Sequence, residues 1–338
     1  MNNVKRIKIG NRFIGENEPI FIIADAGNNH NGDFEVAKQM VQVASEIGAD
    51  AVNFQTFSLD AFCTKEYSLY NLFKKLVFSE QQWEELSDYA RKIGIIFFSN
   101  PLDTVGVDLL MRLHVPLLKV VSGDLTEPSL LSHIGETKIP IILSTGMANL
   151  GEVEQAIDII KATGNDDIIV LHCVSNYPAT LEEQNIRTLN TLRKAFQLPV
   201  GFVDHTDGLL ASVCAAASGA VVIEKHFTLN KKVEAPDYEV SLEPDEMRAL
   251  IENIRSIEKL LGSPSKRPTK SEINKRGLIR KSIVAAHRIP AGSEISKANL
   301  AFKRTIPGLS PIEASNIIGK VAKLDIKKDE VISVDKLY

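Results

Sequence analysis

The runs PVGFVDHT (residues 199–206) and AVVIEKHFT (residues 220–228) stand out in this 338-residue chain. Each consists mainly of apolar residues, many of them β-branched, and each reaches a histidine near its end, His205 or His226. Continuous apolar runs of this kind are typical of parallel strands that are buried on both faces. Because α/β enzymes place their chemistry at the ends of such strands, the two histidines predict an enzyme site.

A structural interpretation of the histidines is also open, since a buried imidazole often does no more than satisfy a nearby backbone group. Two observations favour a functional site. The histidines occupy the same position in their runs, 21 residues apart, and each follows a charged residue, Asp204 or Lys225.

Six further runs resemble these two, and all eight close on small or polar residues. Parallel strands need helical crossovers, and segments with helical periodicity lie between the runs, so the sequence predicts an α/β fold, a (β/α)8 TIM barrel over residues 1–262. AGNNHNG after the first run is not the G-x-G-x-x-G loop of a dinucleotide-binding sheet. The strands are predicted at 21–27, 51–57, 95–100, 117–123, 140–146, 168–174, 199–205 and 221–227, and helices at 33–48, 79–93, 104–114, 149–163, 182–196 and 244–262.

The composition of the chain changes after the predicted barrel. Residues 263–276 are rich in positive charge and contain two prolines, which predicts an exposed linker. Residues 277–338 alternate short β-rich runs (SIVAAHRI, LAFKRT, VAKLDI and EVIS) with turn signals. A β-rich domain of this size is marginally stable alone, so we expect it to pack on its own barrel or on a partner.

Composition also excludes several classes of protein. A formal net charge of −4 with interspersed signs predicts neither a nucleic-acid nor a membrane surface. No stretch approaches the roughly 18 apolar residues of a membrane span, and the N-terminus lacks a signal-peptide core. Cys63, Cys173 and Cys214 are widely spaced and are predicted to be buried, inert thiols. We therefore expect a cytoplasmic protein with a small-molecule ligand.

Lys119 is a lone charge within an apolar strand, LLKVVSG. A buried ammonium without a partner is costly, so an anionic ligand is expected. The alternative is an internal ion pair with Asp25 or Asp124. The STGM turn (residues 144–147) offers a hydroxyl and N–H groups at a predicted helix start, which suits phosphate or carboxylate oxygens, although such residues also cap helices routinely.

At these motifs the chain resembles the sialic acid synthase family of nonulosonate synthases. The matching motifs are ADAGNNHNG, FQTF, LLKVVSGD, PIILSTGM, LHCVSNYPA, VDHT, IEKHFT and APDYEVSLEP, in order along the chain. KSIVAAHRIPAGSEI together with FKRTIPG resembles the C-terminal antifreeze-like (SAF, β-clip) domain of that family.

The resemblance implies a transferase that condenses phosphoenolpyruvate with the open-chain aldehyde of an N-acetylmannosamine-type sugar and releases phosphate by C–O cleavage. It implies that His205 and His226 hold a divalent metal, expected to be Mn²⁺, with Mg²⁺ or Co²⁺ as alternatives. The metal would act as a Lewis acid on the aldehyde oxygen. Which amino sugar is used does not follow from the resemblance.

The resemblance also implies a role for individual residues. Asp124 is expected to handle a proton or to orient the attacking water, and Arg304 to reach the N-acetyl group of the sugar across the interface of a domain-swapped homodimer. The implied catalytic residues are Asp124, Lys119 and Asp25; those near phosphoenolpyruvate are Lys119, Ser122, Ser144 and Tyr177; those near the sugar are Gln55, Asp237 and Arg304; and Asn176 joins the substrate-binding set.

Four positions depart from the family pattern, which usually has glutamate at Asp25 and lysine at Asn53, often threonine at Asn100 and in some members glutamate at Asp124. Losing the lysine removes a cation from the expected phosphate site. Two other functions are open. One is a Schiff-base aldolase that uses Lys119, since barrels host such enzymes too. The other, suggested by Asn53, is a catalytically impaired homologue that binds the sugar or phosphoenolpyruvate. Candidate replacements for the missing charge are Lys65, Lys74 and Lys75.

Overall fold

The computed structural model describes residues 4–338, and the chain divides into two compact units, Met1–Gly262 and Ser263–Tyr338. In the first unit eight parallel strands close into a barrel in chain order, which confirms the predicted TIM barrel. An antiparallel hairpin that was not predicted precedes them. The hairpin strands are β1 (Ile7–Ile9) and β2 (Arg12–Ile14); the barrel strands are β3 (Phe21–Gly27), β4 (Ala51–Thr56), β5 (Ile96–Pro101), β6 (Leu118–Val120), β7 (Ile141–Ser144), β8 (Ile168–Cys173), β9 (Val200–Asp204) and β10 (Val222–His226).

Helices connect the strands, and local capping explains where several of them begin. The Asp33 carboxylate accepts the backbone N–H groups of Glu35 and Val36 and starts the first helix. The predicted helix at 182–196 begins only at Thr188, because the Glu183 carboxylate accepts the Thr180 N–H and holds a turn. The helices are α1 (Phe34–Glu46), α2 (Leu59–Phe62), α3 (Tyr70–Leu76), α4 (Glu80–Ile93), α5 (Thr104–Arg112), α6 (Pro128–Glu136), α7 (Leu150–Ala162), α8 (Thr188–Phe196), α9 (Leu210–Ala217) and α10 (Pro244–Leu261).

The barrel interior changes from apolar to polar along the strands. Side chains alternate between the two faces of a strand, so every second residue points inward. On β3 the inward residues Phe21 and Ile23 belong to a fully buried cluster, and Asp25 follows them. The hairpin contributes Ile7 and Ile9 to the same cluster, which closes the N-terminal end of the barrel. The polar end is therefore the C-terminal one, where barrel enzymes bind substrate.

An ion-pair cluster around Asp50 joins the hairpin, the barrel and the last helix of this unit. Its carboxylate pairs with Arg12 of β2 and, at 2.8 Å, with Arg255 of α10, and it accepts the Ile22 N–H of β3 at 2.9 Å. The Asp50 side chain is 9% exposed. The cluster thus fixes the end of the barrel that lies away from the polar residues.

We expect Asp50→Asn to lower the free energy of unfolding by about 3 kcal/mol, because it leaves two partly buried guanidinium groups without their shared carboxylate. Urea unfolding followed by circular dichroism measures the change. Asp88→Asn is the matched control, since Asp88 pairs with Arg91 at the surface and is 72% exposed; its effect should stay within about 0.5 kcal/mol. Equal effects would contradict the role of the cluster.

The second unit has its own core. Strands β11 (Lys281–Ala285) and β12 (Leu300–Arg304) pair antiparallel, and their buried side chains pack with those of the following turns. VAKLDI and EVIS, predicted as β-rich runs, form isolated bridges rather than strands. The stretch 263–276, predicted as a linker, is exposed throughout but contains the start of a helix, α11 (Lys270–Ile279), which Thr269 and Glu272 cap.

The prediction of three buried thiols is confirmed for Cys173 only. Cys173 is buried and Cys63 partly so, whereas Cys214 is exposed, because it lies on the solvent side of α9 while Ala211 and Ala215 face the core. Within residues 4–338 no helix is both long and apolar enough to span a membrane.

Candidate active site

Polar side chains at the C-terminal strand ends surround a cavity of about 460 Å³. Most of the predicted site residues line it, and the whole barrel contributes, from β3 to β10. The predicted residues that line the cavity are Asp25, Gln55, Lys119, Ser122, Asp124, Ser144, Tyr177, His205, His226 and Asp237.

The two histidines lie side by side at the end of β9 and β10. Their rings are stacked, with centroids 5.3 Å apart, and the Tyr177 ring packs on His205 at 4.1 Å. Nδ1 of His205 donates to the Val174 carbonyl at 2.7 Å, which leaves Nε2 with its lone pair. Nδ1 of His226 is buried and finds no hydrogen-bond partner among the described residues. Both imidazoles therefore keep a nitrogen for a ligand.

Asp237 approaches the histidine pair across Gly27. Gly27 has a φ of +49°, and a Cβ there would lie 2.7 Å from Asp237 Oδ2 and 3.4 Å from His226 Nδ1. Glycine is therefore required by both conformation and space. Within residues 4–338 no group of three or more His, Cys, Asp or Glu side chains is arranged to hold a metal ion. The pair would hold a metal as an open site, with other positions left for water or substrate.

The charged residues beside the histidines are structural, so that part of the sequence argument was wrong. Asp204 and Lys225 precede the histidines by one residue and therefore point to the outer face of the barrel. They pair with each other at 3.3 Å and are fully buried. The Asp204 carboxylate also accepts the N–H and hydroxyl groups of Thr206 and Ser212. This network fixes the ends of β9 and β10.

Lys119 points into the barrel, where it meets two carboxylates. Its ammonium donates a hydrogen bond to Glu224 and lies 3.8 Å from Asp25. Burial by itself lowers the pKa of Lys119, but Glu224 and Asp25 outweigh it, and the pKa is raised. The predicted alternative of an ion pair with Asp25 is thus confirmed, and Glu224 is a further partner that the sequence argument did not pair with the lysine. Lys119 is a cation that also lines the cavity.

Asp25 and Asn53, two of the departures from the family pattern, are neighbours. They face each other in the register of β3 and β4, and Asn53 Nδ2 donates to Asp25 Oδ1 at 3.0 Å. Asn53 is fully buried. Lys65, Lys74 and Lys75 are exposed, and none of them lines the cavity. The structure therefore places no lysine from this loop at the site.

The STGM turn lies against the loop after β6. The Gly146 N–H donates to Ser122 Oγ at 2.9 Å, and a Cβ on Gly146 would lie 2.2 Å from Ser175 Oγ. The turn was predicted to lie at the start of a helix. This prediction is wrong, because α7 begins only at Leu150. The Ser144 hydroxyl is buried and unpartnered among the described residues, so it is free to bind a ligand.

Unpaired polar atoms concentrate at this end of the barrel. Buried polar groups normally have partners, so a cluster of unpaired ones indicates a site built for a ligand. Within residues 4–338 the buried unpartnered side-chain atoms at the strand ends and the loops that follow them are Asn28 Oδ1, His30 Nε2, Asn53 Oδ1, Asn100 Oδ1, Asp124 Oδ2, Ser144 Oγ, Gln184 Oε1, Glu224 Oε2 and His226 Nδ1.

Asp124 has the environment of a general acid or base. It lies in the turn after β6, and burial, helped by the charges of Glu127 and Asp103, raises its pKa to about 7. A carboxyl that titrates near neutrality can both accept and return a proton at the working pH.

We expect Asp124→Asn to raise the free energy of unfolding more at pH 8 than at pH 5. The reason is that ionising this carboxyl costs more free energy in the folded than in the unfolded chain. The sign follows from a folded pKa of about 7 against an ordinary value of 3.8: stability is lost as the pH rises between the two. Thermal unfolding of both proteins from pH 4 to pH 8 measures the difference. A gain that is the same at every pH would contradict the raised pKa.

Two predicted residues lie outside the cavity wall. Asn176 is exposed, and its amide donates to Glu183 at 3.2 Å. Arg304 is exposed at the end of β12 in the second unit. Their roles remain predictions.

Cys173 was predicted to be inert, yet it lines the cavity, 3.4 Å from Ser122 Oγ. Its inward position on β8 was the signal in the sequence that could have shown this.

A TIM barrel with a histidine pair, a buried lysine and unpaired polar atoms around a cavity at its C-terminal end is typical of a barrel enzyme. The particular family follows from comparison with known proteins. The NeuB family model matches residues 40–266, and the SAF domain model matches residues 280–337. The chain belongs to the NeuB family of sialic-type acid synthases and carries a C-terminal SAF domain, as the motifs predicted.

Individual relatives cover nearly the whole chain. An uncharacterized protein of Methanocaldococcus jannaschii is 45% identical over 334 residues, 99% of both chains. The N,N'-diacetyllegionaminic acid synthase of Legionella pneumophila is 42% identical over 330 residues, 92% of this chain and 93% of its own. The crystal structure of an N-acetylneuraminic acid synthetase from Leptospira borgpetersenii superposes with a TM-score of 0.78 at 34% identity, over 82% of this chain and 97% of that one.

Proposed function

We propose that this protein condenses phosphoenolpyruvate with an N-acetylmannosamine-type amino sugar to a nonulosonic acid, with release of phosphate. The observation that carries the proposal is the shared cavity, in which an open histidine pair lies near the buried Lys119 and the unpaired Ser144 hydroxyl. The histidine pair suits a metal that binds the sugar aldehyde, whereas the lysine and the hydroxyl suit an anion. The name of the Legionella relative supports a nonulosonic acid as product.

His205 and His226 would hold the divalent metal, Mn²⁺ in this proposal and Mg²⁺ or Co²⁺ as alternatives. Nε2 of His205 and Nδ1 of His226 fit such an ion, the latter without a hydrogen-bond partner among the described residues and 3.8 Å from Asp25 Oδ2. When bound, the metal supplies Lewis-acid polarisation of the aldehyde oxygen. The Val174 carbonyl orients the His205 ring, as hydrogen-bond acceptors behind metal-binding histidines commonly do.

The other residues bind phosphoenolpyruvate and handle protons. The Lys119 ammonium faces the substrate anion, and the Ser144 hydroxyl donates to one of its oxygens. C3 of phosphoenolpyruvate forms the new C–C bond with the aldehyde carbon, and water then attacks C2. Asp124 Oδ2 takes a proton from that water, and the C2–O bond to phosphate breaks as the keto group forms. Gln55 and Asp237 bind sugar hydroxyls.

The raised pKa of Lys119 opposes the Schiff-base alternative, which needs a neutral amine.

Incubation of the protein with phosphoenolpyruvate, an N-acetylated hexosamine and Mn²⁺ should release phosphate, and EDTA should stop the release. Metal-independent turnover would contradict the proposal. Calorimetric binding of either substrate without any product would instead support the impaired homologue.

Arg304 is proposed to act on the barrel of a partner subunit in a domain-swapped homodimer. Arg304→Ala and His226→Ala chains should each be nearly inactive, but a mixture should regain part of the activity, because one barrel then has both an intact histidine pair and a partner's Arg304. Mass photometry and a subunit-exchange label establish mixed dimers. Mixed dimers without activity would contradict action in trans.

A further inference from the structure

Cys173 is the one thiol among the described residues that line the cavity, and no step of the proposed reaction uses it. It ends β8, where it follows Ile169 and Leu171 on the inward face, and it is 5% exposed. Its sulfur lies 3.4 Å from Ser122 Oγ and 3.8 Å from Ser175 Oγ, and both serines also line the cavity. The thiol therefore belongs to a polar cluster that faces the substrate space.

The thiol and the two serine hydroxyls converge on Gly146. A Cβ on this glycine would lie 2.2 Å from Ser175 Oγ, 2.7 Å from Ser122 Oγ and 2.9 Å from Cys173 Sγ. Only glycine lets three polar side chains approach the backbone so closely. The Gly146 N–H donates to Ser122 Oγ at 2.9 Å and occupies a lone pair of that oxygen. The Ser122 hydroxyl can then donate to Cys173 Sγ, which leaves the S–H group of Cys173 for a ligand.

This cluster lies beside a cation and an unpaired hydroxyl. Strands β6, β7 and β8 are neighbours in the barrel, and they carry Lys119, Ser144 and Cys173 on their inward faces. The Lys119 charge is close enough to act on the thiol. Ser144 is 2% exposed, and its Oγ has no partner among the described residues, which independently indicates a ligand at this place. A cation next to hydroxyl and thiol protons suits an anion.

The surroundings of Cys173 keep its thiol neutral. Burial raises the pKa of the thiol, although its hydrogen bonds to Ser122 and Ser175 and the charge of Lys119 act in the opposite direction. A neutral S–H group donates a hydrogen bond to an anion, whereas a thiolate would repel it. Protonation and position therefore both suit a donor.

We infer that Cys173 is a further binding residue of the anion site, whose S–H group donates a hydrogen bond to phosphoenolpyruvate. The inference rests on the proposed function, which places this substrate beside Lys119 and Ser144. The contact can be blocked chemically. With methyl methanethiosulfonate, Cys173 Sγ forms a bond to the S-methyl sulfur, methanesulfinate leaves and the thiol proton passes to water. The added S-methyl group then occupies space that the anion needs.

The first test is protection of Cys173 from this reagent, followed by mass spectrometry of the peptides. Phosphoenolpyruvate at about ten times its Kd should slow the modification of Cys173 about tenfold, because only the empty site reacts. N-acetylmannosamine alone should leave the rate unchanged. Cys214 is exposed and lies outside the cavity, so its modification in the same sample is the internal control and should not depend on either substrate.

The second test separates the hydrogen-bond donor from the rest of the side chain. Cys173→Ala should raise the KM for phosphoenolpyruvate about 3- to 10-fold, the usual effect of losing one hydrogen bond, and leave the KM for the sugar unchanged. Cys173→Ser keeps a donor and should recover most of this loss. Cys214→Ala is the matched control and should behave like wild type. Thermal unfolding checks that each variant is folded.

Equal modification of Cys173 with and without phosphoenolpyruvate, in protein that turns this substrate over, would overturn the inference and leave the proposed function standing. Protection by the sugar alone would assign the thiol to the sugar side and overturn it as well. If the reagent does not reach Cys173 in the empty protein, the KM comparison decides, and an unchanged KM for phosphoenolpyruvate in Cys173→Ala contradicts the inference. Absence of turnover by folded, metal-loaded protein would overturn the proposed function itself, a distinct result.

Discussion

Replacing His205 or His226 by alanine should lower kcat/KM by about 1,000-fold or more while the barrel stays folded. The two imidazoles are the nitrogen ligands of the proposed metal, whose polarisation of the aldehyde is worth several kcal/mol of transition-state stabilisation. Each 1.36 kcal/mol corresponds to about tenfold in rate. Steady-state phosphate release measures activity, and calorimetric titration with Mn²⁺ measures binding.

His133→Ala is the matched control, because His133 lies on α6, is partly exposed and pairs with Asp108 at 2.8 Å, outside the cavity. It should keep both activity and Mn²⁺ binding. Near-normal turnover of His205→Ala or His226→Ala would rule out their role as ligands. If either variant loses the native thermal unfolding transition, the histidine pair is needed for folding instead.

Lys119→Met should lower kcat/KM for phosphoenolpyruvate by roughly 100-fold or more, since loss of one member of a buried charge pair typically costs 2–5 kcal/mol. Lys119 is the one lysine or arginine among the described residues of the barrel unit that line the cavity. The KM for the sugar should change much less. Thermal unfolding should also show a destabilised protein, because Glu224 and Asp25 lose their shared cation.

Lys194→Met, at an exposed position of α8, is the control and should behave like wild type. Borohydride treatment during turnover separates charge from covalent catalysis. No adduct should form on Lys119, because its amine remains protonated. A trapped adduct would establish the aldolase alternative, and unchanged use of phosphoenolpyruvate by Lys119→Met would remove the lysine from the anion site.

Much of this architecture could be predicted from periodicity. A strand buried on both faces needs an unbroken apolar run, and eight such runs indicated the barrel. The histidine pair followed from the same logic, since neighbouring strands place their ends together. The hairpin at Ile7–Ile14 was not predicted, because two three-residue strands carry too little periodic signal, and their burial depends on the barrel that they close.

The errors about Asp204, Lys225 and Glu224 share one physical cause. Adjacent residues of a strand point to opposite faces, so Asp204 and Lys225 could not face the same cavity as His205 and His226. Glu224, two residues before His226, does share its face and reaches Lys119 across the barrel. Strand alternation was therefore the available signal.

The most direct test of the proposed function is a mass spectrum of the products formed from phosphoenolpyruvate labelled with ¹⁸O in its bridging oxygen. With Mn²⁺ and a panel of N-acetylated hexosamines, we predict a nonulosonic acid with the mass of the sugar plus pyruvate. The label should leave entirely with phosphate, since the C2–O bond breaks. Label retained in the acid, or no condensation product from any sugar with folded, metal-loaded protein, would contradict the proposed synthase.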